Sequence, residues 1–221
     1  MFLLYNIIGT IFLVISPLVI FVRMIMGKED TKRFLEKYSL TAKNRSSETI
    51  WFHGASIGEL MSILPVIKKF EKDKSIKKIL ITSSTISSAS IIKKIKFKKT
   101  AHVYYPFDVG FICNNFLNKW KPKIAIFVDS EIWPNMFERI NTKRIPLILI
   151  NARITNKSFN RWQMFPTFAK HVFSKITIAL PQNQETKNYL KRLGVKKIKF
   201  VGNLKFFKNS KKDFESNIQK N

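Results

Sequence analysis

The chain has 221 residues, enough for one good-sized domain or two small ones, and 45 % hydrophobic residues exclude wholesale disorder. Lys+Arg number 40 against 14 Asp+Glu, a formal net charge of +26 that favours polyanions, yet the lysines are spread along the chain without an RNP-like motif, a recognition-helix pattern or a zinc knuckle, so basicity alone is a weak argument for nucleic acid. A single cysteine, Cys113, excludes an internal disulfide, and His53, His102 and His171 are too scattered to indicate a metal cluster.

Residues 2–22, FLLYNIIGTIFLVISPLVIFV, carry no charge, and about 20 such residues span the hydrocarbon core as a helix. Asn6, Thr10 and Ser16 are tolerable interruptions, and Pro17 is a candidate kink. A cleaved signal peptide fits less well, because no Lys or Arg precedes the run and no small-x-small site closes it. Arg23, Lys28, Lys32, Arg33 and Lys37 follow, and the positive-inside rule keeps them cytoplasmic. Residues 1–26 are therefore expected to be a single-pass anchor with the body on the cytoplasmic side; a helix lying in the interface without crossing is the competing reading. In both, membrane lipids are partners, and the lysines face anionic headgroups.

KEDTKRFLEKYS (28–39) reads as a basic amphipathic helix at the interface, and TAKNRSSET (41–49) as a polar linker, so residues 27–49 join the anchor to a body over 50–208. In the body short apolar runs alternate with helical patterns. Expected strands are 50–53, 78–82, 101–105, 123–128, 146–150, 175–180 and 198–202; expected helices are 58–71, 86–95, 108–119, 132–140, 159–172 and 183–193. Short β-branched strands separated by helices imply an α/β fold, a single Rossmann-like, doubly wound parallel sheet. Residues 209–221 form a polar tail.

In such a sheet ligands bind beyond the carboxyl ends of the strands. Glu59, in HGASIGE, stands in a first helical turn after a Gly/Ser-rich segment. It reads either as a complement to the helix dipole or as a general base whose Gly-rich turn lets a hydroxyl approach. The dipole is expected to lower its pKa and keep it ionised. Glu131, in VDSEIWPN, is a second acid past a strand, again either a helix-start acid or a carboxylate facing the same cleft. TSSTISSAS, with Ser83, Ser84 and Thr85, reads as an ordinary cap or as an anion site at a helix N-terminus. Arg153 forks onto a phosphate or carboxylate, or solvates a strand end. Lys205 in GNLKF is one lysine among many. His53 is expected to make a structural hydrogen bond. No GxGxxG and no P-loop is present, so a dinucleotide or nucleoside triphosphate site is not indicated.

Taken together, WFHGASIGE, DSEIWPN, NARIT and GNLKF resemble, in order and spacing, the WIHAxSVGE, ETELWPN, NARLS and GNLKF strings of the bacterial 3-deoxy-D-manno-octulosonic acid (Kdo) transferases, over essentially the whole chain to about residue 208. Gly54, Ile57 and Asp129 depart mildly, standing where Ala, Val and Glu are usual. The resemblance implies the N-terminal domain of a GT-B glycosyltransferase that transfers Kdo from CMP-Kdo to the lipid A precursor lipid IVA, at the bacterial inner membrane, without a metal or cofactor. It implies Glu59 as proton acceptor, and Glu131 and Lys205 as transition-state stabilisers. Ser56, Gly58, Ser83, Ser84, Thr85 and Arg153 are the expected acceptor-binding residues. The family's second domain, which binds CMP-Kdo, is expected to be missing, so CMP-Kdo is a partner only if another chain supplies that half. The isolated chain is then expected to be inactive. The rival readings are a non-catalytic or glycolipid-binding remnant of a split gene and, from another class, a basic membrane-associated nucleic-acid binder.

Overall fold

A computed structural model describes residues 1–40 and 49–200. Among them six strands form one sheet: β1 (Thr49–His53), β2 (Lys78–Ser83), β3 (Thr100–Tyr104), β4 (Pro122–Val128), β5 (Leu147–Ala152) and β6 (Ile178–Pro181). All pairings are parallel, in the order β3-β2-β1-β4-β5-β6. The helices are α1 (Phe2–Ile25), α2 (Ile57–Lys72), α3 (Ile86–Lys94), α4 (Gly110–Trp120), α5 (Pro134–Thr142), α6 (Asn156–Gln163), α7 (Pro166–Phe173) and α8 (Gln184–Leu193).

Strand periodicity sorts the core onto two faces. Trp51 and Phe52, adjacent in β1 and both fully buried, belong to different clusters. Trp51 packs with Phe116, Phe127, Phe137 and Phe173 beneath α4, α5 and α7, whereas Phe52 packs with Leu60, Ile63 and Ile67 of α2 and Ile92 of α3. The chain moves outward from β1 to β3, then returns through α4 to lay β4 against the free side of β1. The strand order therefore reverses between β1 and β4, which opens a crevice at their carboxyl ends.

Three sequence expectations shift. The stretch expected as one helix over 159–172 is two, because Pro166 lacks an N–H and pushes Phe165 out of helical geometry (φ −132°, ψ 70°); Pro166 then starts α7 at its first position. Of the seventh expected strand, Ile198 makes one parallel bridge to Ala179, and residues beyond 200 lie outside the described part, as do most of the linker and the polar tail. Residues 28–39 form a turn and a short 3-10 helix (Phe34–Tyr38) in place of an amphipathic helix. Their side chains bind the edge strand instead. Arg33 forks onto both Glu36 oxygens (2.8 and 2.9 Å), and Glu36 Oε2 accepts the free backbone N–H of Tyr104 (2.8 Å). Arg33 Nη2 also donates to the His102 carbonyl (2.7 Å). The segment covers β3, an edge that would otherwise offer unpaired groups.

α1 is long and apolar enough to cross a membrane by length and composition, and it lies against the body along one stripe. Phe2 packs on Phe168 and His171, Tyr5 donates to Asp108 (2.7 Å), Phe12 meets Phe107 edge-on, and Arg23 pairs with Glu29 (3.1 Å). Ser16 repairs the gap left by Pro17, its hydroxyl donating to the Leu13 carbonyl (2.7 Å) that Pro17 cannot reach as a donor. With that proton committed, the Tyr38 hydroxyl donates to Ser16 Oγ (2.8 Å). The opposite face exposes Leu4, Ile11, Val14, Leu18 and Ile25.

Candidate active site

β1 delivers its chain into the crevice at His53, and the turn Gly54-Ala55-Ser56 passes it to α2. Ser56 is the N-cap. Its Oγ accepts the Glu59 N–H (3.3 Å) and donates its proton to Glu59 Oε1 (2.8 Å), while the Ala55 N–H donates to Glu59 Oε2 (2.7 Å). This is a variant of the capping box in which the Glu59 side chain takes the N–H of the residue before the cap, and it holds both carboxylate oxygens in place. Gly54 makes the close turn possible, since a Cβ there would stand 3.2 Å from both Glu59 Cβ and Leu60 Cδ2.

The Glu59 pKa is raised, not lowered as the helix dipole alone implies. Burial is the main cause; the Ser56 hydroxyl opposes it, the Glu131 charge adds to it, and the Ala55 N–H and Asp129 act in opposite directions more weakly. A carboxylate held above its ordinary value is a better proton acceptor than one at a solvated helix start.

Glu131 follows β4 across the crevice. Its Oε2 receives two hydrogen bonds, from Trp133 Nε1 (2.9 Å) and from His53 Nε2 (3.2 Å). His53 is fully buried and stacked on Tyr105, with ring centroids 3.9 Å apart. Behind it stands a relay: Trp51 Nε1 donates to Thr82 Oγ1 (2.9 Å), and Thr82 Oγ1 lies 2.9 Å from His53 Nδ1. The indole can only donate and an ionised carboxylate can only accept. A neutral His53 with its proton on Nε2, receiving the Thr82 proton at Nδ1, satisfies every one of these bonds. The backbone nearby is also specialised: Asp129 (φ 60°) and Asn151 (φ 50°) are left-handed at the ends of β4 and β5.

The fold thus brings Ser56, Gly58, Glu59 and Glu131 to one crevice. Gly58 is exposed, and a Cβ there would meet only the Ser56 hydroxyl, at 4.0 Å. Arg153 is exposed just past β5, its backbone N–H directed at the Asp129 carbonyl (3.4 Å). Ser84 sits beside the turn, its N–H bonded to the Ala55 carbonyl (3.2 Å). Two expected acceptor-binding hydroxyls are otherwise engaged: Ser83 is buried with its Oγ 2.8 Å from His102 Nε2, and Thr85 is the N-cap of α3, accepting from the Ser88 N–H (3.2 Å). Lys205 lies outside the described residues. Sequence reasoning gave His53 a structural bond but missed that its other nitrogen holds Glu131. It also missed Trp133 and Tyr105 as neighbours of that carboxylate, and the buried Asn151 amide, which has no hydrogen-bond partner among the described residues. The aromatic residues at the ends of β3 and β4, in YYPF and EIWP, are the signal that could have found the first two.

A family model described as 3-deoxy-D-manno-octulosonic-acid transferase matches residues 32–208. A 3-deoxy-D-manno-octulosonic acid transferase of Rickettsia bellii is 33 % identical over 205 residues, covering 92 % of this chain and 49 % of that protein. One from Haemophilus influenzae is 25 % identical, covering 91 % and 49 %. A probable mitochondrial 3-deoxy-D-manno-octulosonic acid transferase of Arabidopsis thaliana is 36 % identical, covering 67 % and 34 %. The chain spans about half the length, or less, of these curated relatives. Among solved structures, a UDP-GlcNAc 2-epimerase from Neisseria meningitidis superposes with a TM-score of 0.51 at 16 % identity, covering 71 % of this chain and 47 % of that one, a likeness of fold alone.

Proposed function

Because the chain belongs to the 3-deoxy-D-manno-octulosonic acid (Kdo) transferase family, we propose that these residues form the acceptor-binding half of an enzyme that moves Kdo from CMP-Kdo to lipid IVA. The observation that carries this reading is the meeting of Glu59 and Glu131 at the point where the strand order reverses, with Glu59 half-buried and its proton affinity raised by that burial and in part by the Glu131 charge. In the proposed step Glu59 takes the proton from an acceptor sugar hydroxyl. The oxygen's electron pair forms the bond to the anomeric carbon of Kdo, and CMP departs from the opposite face with the bonding pair. Glu131, fixed by His53 and Trp133, stabilises positive charge developing in the sugar, and Lys205 offsets negative charge on the donor side. Ser56, Gly58, Ser84 and Arg153 border the acceptor, as would Ser83 and Thr85 if they exchange their present bonds to His102 and Ser88 for it.

The relatives are about twice as long, so the donor-binding residues are assigned to sequence beyond these positions, in the same or another chain. We place the protein at the inner membrane with its body on the cytoplasmic side. The stripe of body contacts along α1 supports a helix lying in the membrane face over the single crossing expected from sequence. The test is transfer of Kdo to lipid IVA by this chain combined with a family donor-binding half. Turnover that needs both pieces and disappears in Glu59→Gln supports the reading. Turnover retained in Glu59→Gln removes Glu59 from the base role, and no turnover with any donor half removes the enzyme reading.

A further inference from the structure

Between α1 and the loop that follows β3 lies a groove of about 450 Å³, lined by Tyr5, Gly9, Phe12, Phe107, Val109 and Trp133 among others. It lies within the range of ligand-sized pockets. Gly9 lines it where α1 passes close to the body: an added Cβ would already be in ordinary contact with Val109 (3.7 Å) and the Asp108 carbonyl (3.8 Å), so a longer side chain there would reach into the groove. Its walls are held without a ligand. The Tyr5 hydroxyl donates to Asp108 Oδ2, and Asp108 is locked in turn by the N–H groups of Asn135 (3.0 Å) and Met136 (2.8 Å) at the start of α5. Ser16 and Tyr38 fasten the helix farther along.

Two features of the groove call for an occupant of particular chemistry. It is mostly apolar, and the two charged residues that line it are already bonded, Asp108 to Tyr5, Asn135 and Met136 and Lys37 to Glu29 (2.6 Å), so neither charge calls for a counter-ion and a hydrocarbon chain fits. Yet one of the lining residues, Tyr105, is buried, and its hydroxyl has no hydrogen-bond partner among the described residues. A buried orphan of this kind is uncommon and calls for an explanation. The groove also connects two places. At one end are Trp133, whose indole holds Glu131, and Tyr105, stacked on His53. At the other are Ile8 and Phe12, continuous with the exposed apolar face of α1.

We propose that this groove holds one acyl chain of the glycolipid acceptor, led from the bilayer along α1 to the candidate site, with the Tyr105 hydroxyl donating to the carbonyl at the head of that chain. The proposal rests on the acceptor reading above. It makes α1 a wall of the binding site as well as a membrane element. Each methylene taken into the groove is worth roughly fourfold in affinity, so an acylated acceptor is selected over its deacylated sugar.

The test uses the full 221-residue protein in phosphatidylcholine nanodiscs. Lipid IVA carrying a diazirine in an acyl chain is photolysed beside a phosphatidylethanolamine with the same diazirine, and the marked residues are read by peptide mass spectrometry. Binding of the water-soluble, deacylated, bis-phosphorylated disaccharide is followed separately through tryptophan fluorescence. The glycolipid is expected to mark Ile8, Phe12, Phe107 and Val109, and the phospholipid to mark Leu4, Ile11, Val14 and Leu18 on the outer face. Gly9→Leu, which fills the groove, is expected to cut glycolipid labelling there at least tenfold. Tyr105→Phe removes only an unpartnered hydroxyl, so it is expected to keep the melting temperature and weaken glycolipid binding severalfold; it carries the test if Gly9→Leu fails to fold. Equal marking of the groove by both probes overturns the proposal. So does glycolipid marking confined to the outer face while the disaccharide still binds, an outcome that leaves the acceptor reading standing. If neither the disaccharide nor the glycolipid binds, the acceptor reading itself falls and the proposal with it.

Discussion

At Glu59 the groups that orient the carboxylate differ from those that tune it. Ser56 and the Ala55 N–H hold its oxygens, whereas burial and the charges of Glu131 and Asp129 raise its pKa. Glu59→Gln separates the two. A glutamine serves a capping box as well as a glutamate does, so the variant is expected to fold, while a base role predicts loss of transfer by a factor of about 10² or more. The sign of the pH effect follows from linkage. A carboxyl whose folded pKa is raised contributes stability that is fully present below its unfolded value and is lost as pH rises through the folded value. Wild type is therefore expected to lose stability relative to Glu59→Gln as pH climbs above the ordinary carboxylate range, measured by urea unfolding at a series of pH values. The relay behind Glu131 makes a second prediction. Thr82→Val removes the acceptor for the buried Trp51 indole and the proton that fixes His53. It is expected to cost about 1–3 kcal/mol in urea unfolding, the cost of stranding a buried donor, and to loosen Glu131, lowering kcat of the completed enzyme more than it raises KM.

Among the elements, the segment before β1 is best understood by what it covers. Glu36 ties three parts together, accepting both arms of Arg33 and the Tyr104 N–H of the edge strand. Glu36→Ala leaves Arg33 without its partner and the edge amide uncovered, and is expected to speed hydrogen exchange at Tyr104 by tenfold or more while the central strands β1 and β4 stay protected. The sequence of this segment, KEDTKRFLEKYS, has helical spacing, but its charged side chains find better partners on β3 than on one another. By contrast the strands and most helices were legible, because TIWFH, KILIT and IAIFV are apolar runs buried on both faces and Ser56, Thr85 and Asn183 cap the helices they precede. The positions of Glu59 and Glu131 were legible for the same reason: each follows a recognisable strand. What was not legible is set by distance in the chain. His53 reaches Glu131 across 78 residues, and the upward pull on Glu59 comes from burial and from charges on another strand's loop. Neither leaves a local pattern.

For the whole molecule the question raised by the proposed membrane location is how α1 would be placed in it. α1 is about 36 Å long at 1.5 Å per residue, against about 30 Å for the hydrocarbon core, so length permits a crossing. Its contacts argue otherwise. The Phe2 end packs on α7 beside His171, which bonds Glu138, and Lys175 pairs with the same Glu138; the Arg23 end pairs with Glu29. If α1 crossed while keeping these contacts, it would draw charged groups of the body through the hydrocarbon, at about 2.5–3.5 kcal/mol for each charge near the centre. If it crossed by letting go, it would strip the Tyr5 bond from Asp108 and expose the stripe that packs on Phe107 and Phe168. Lying along the membrane face keeps every contact and buries Leu4, Ile11, Val14, Leu18 and Ile25 in lipid. Asn6→Cys and Lys28→Cys, near the two ends, distinguish the arrangements, since the native Cys113 is buried and silent. With an impermeant maleimide on sealed vesicles, the in-plane helix predicts that both positions react from the same side. Reaction from opposite sides means that α1 crosses, and then the acyl-chain groove, which needs α1 against the body, cannot persist in the membrane.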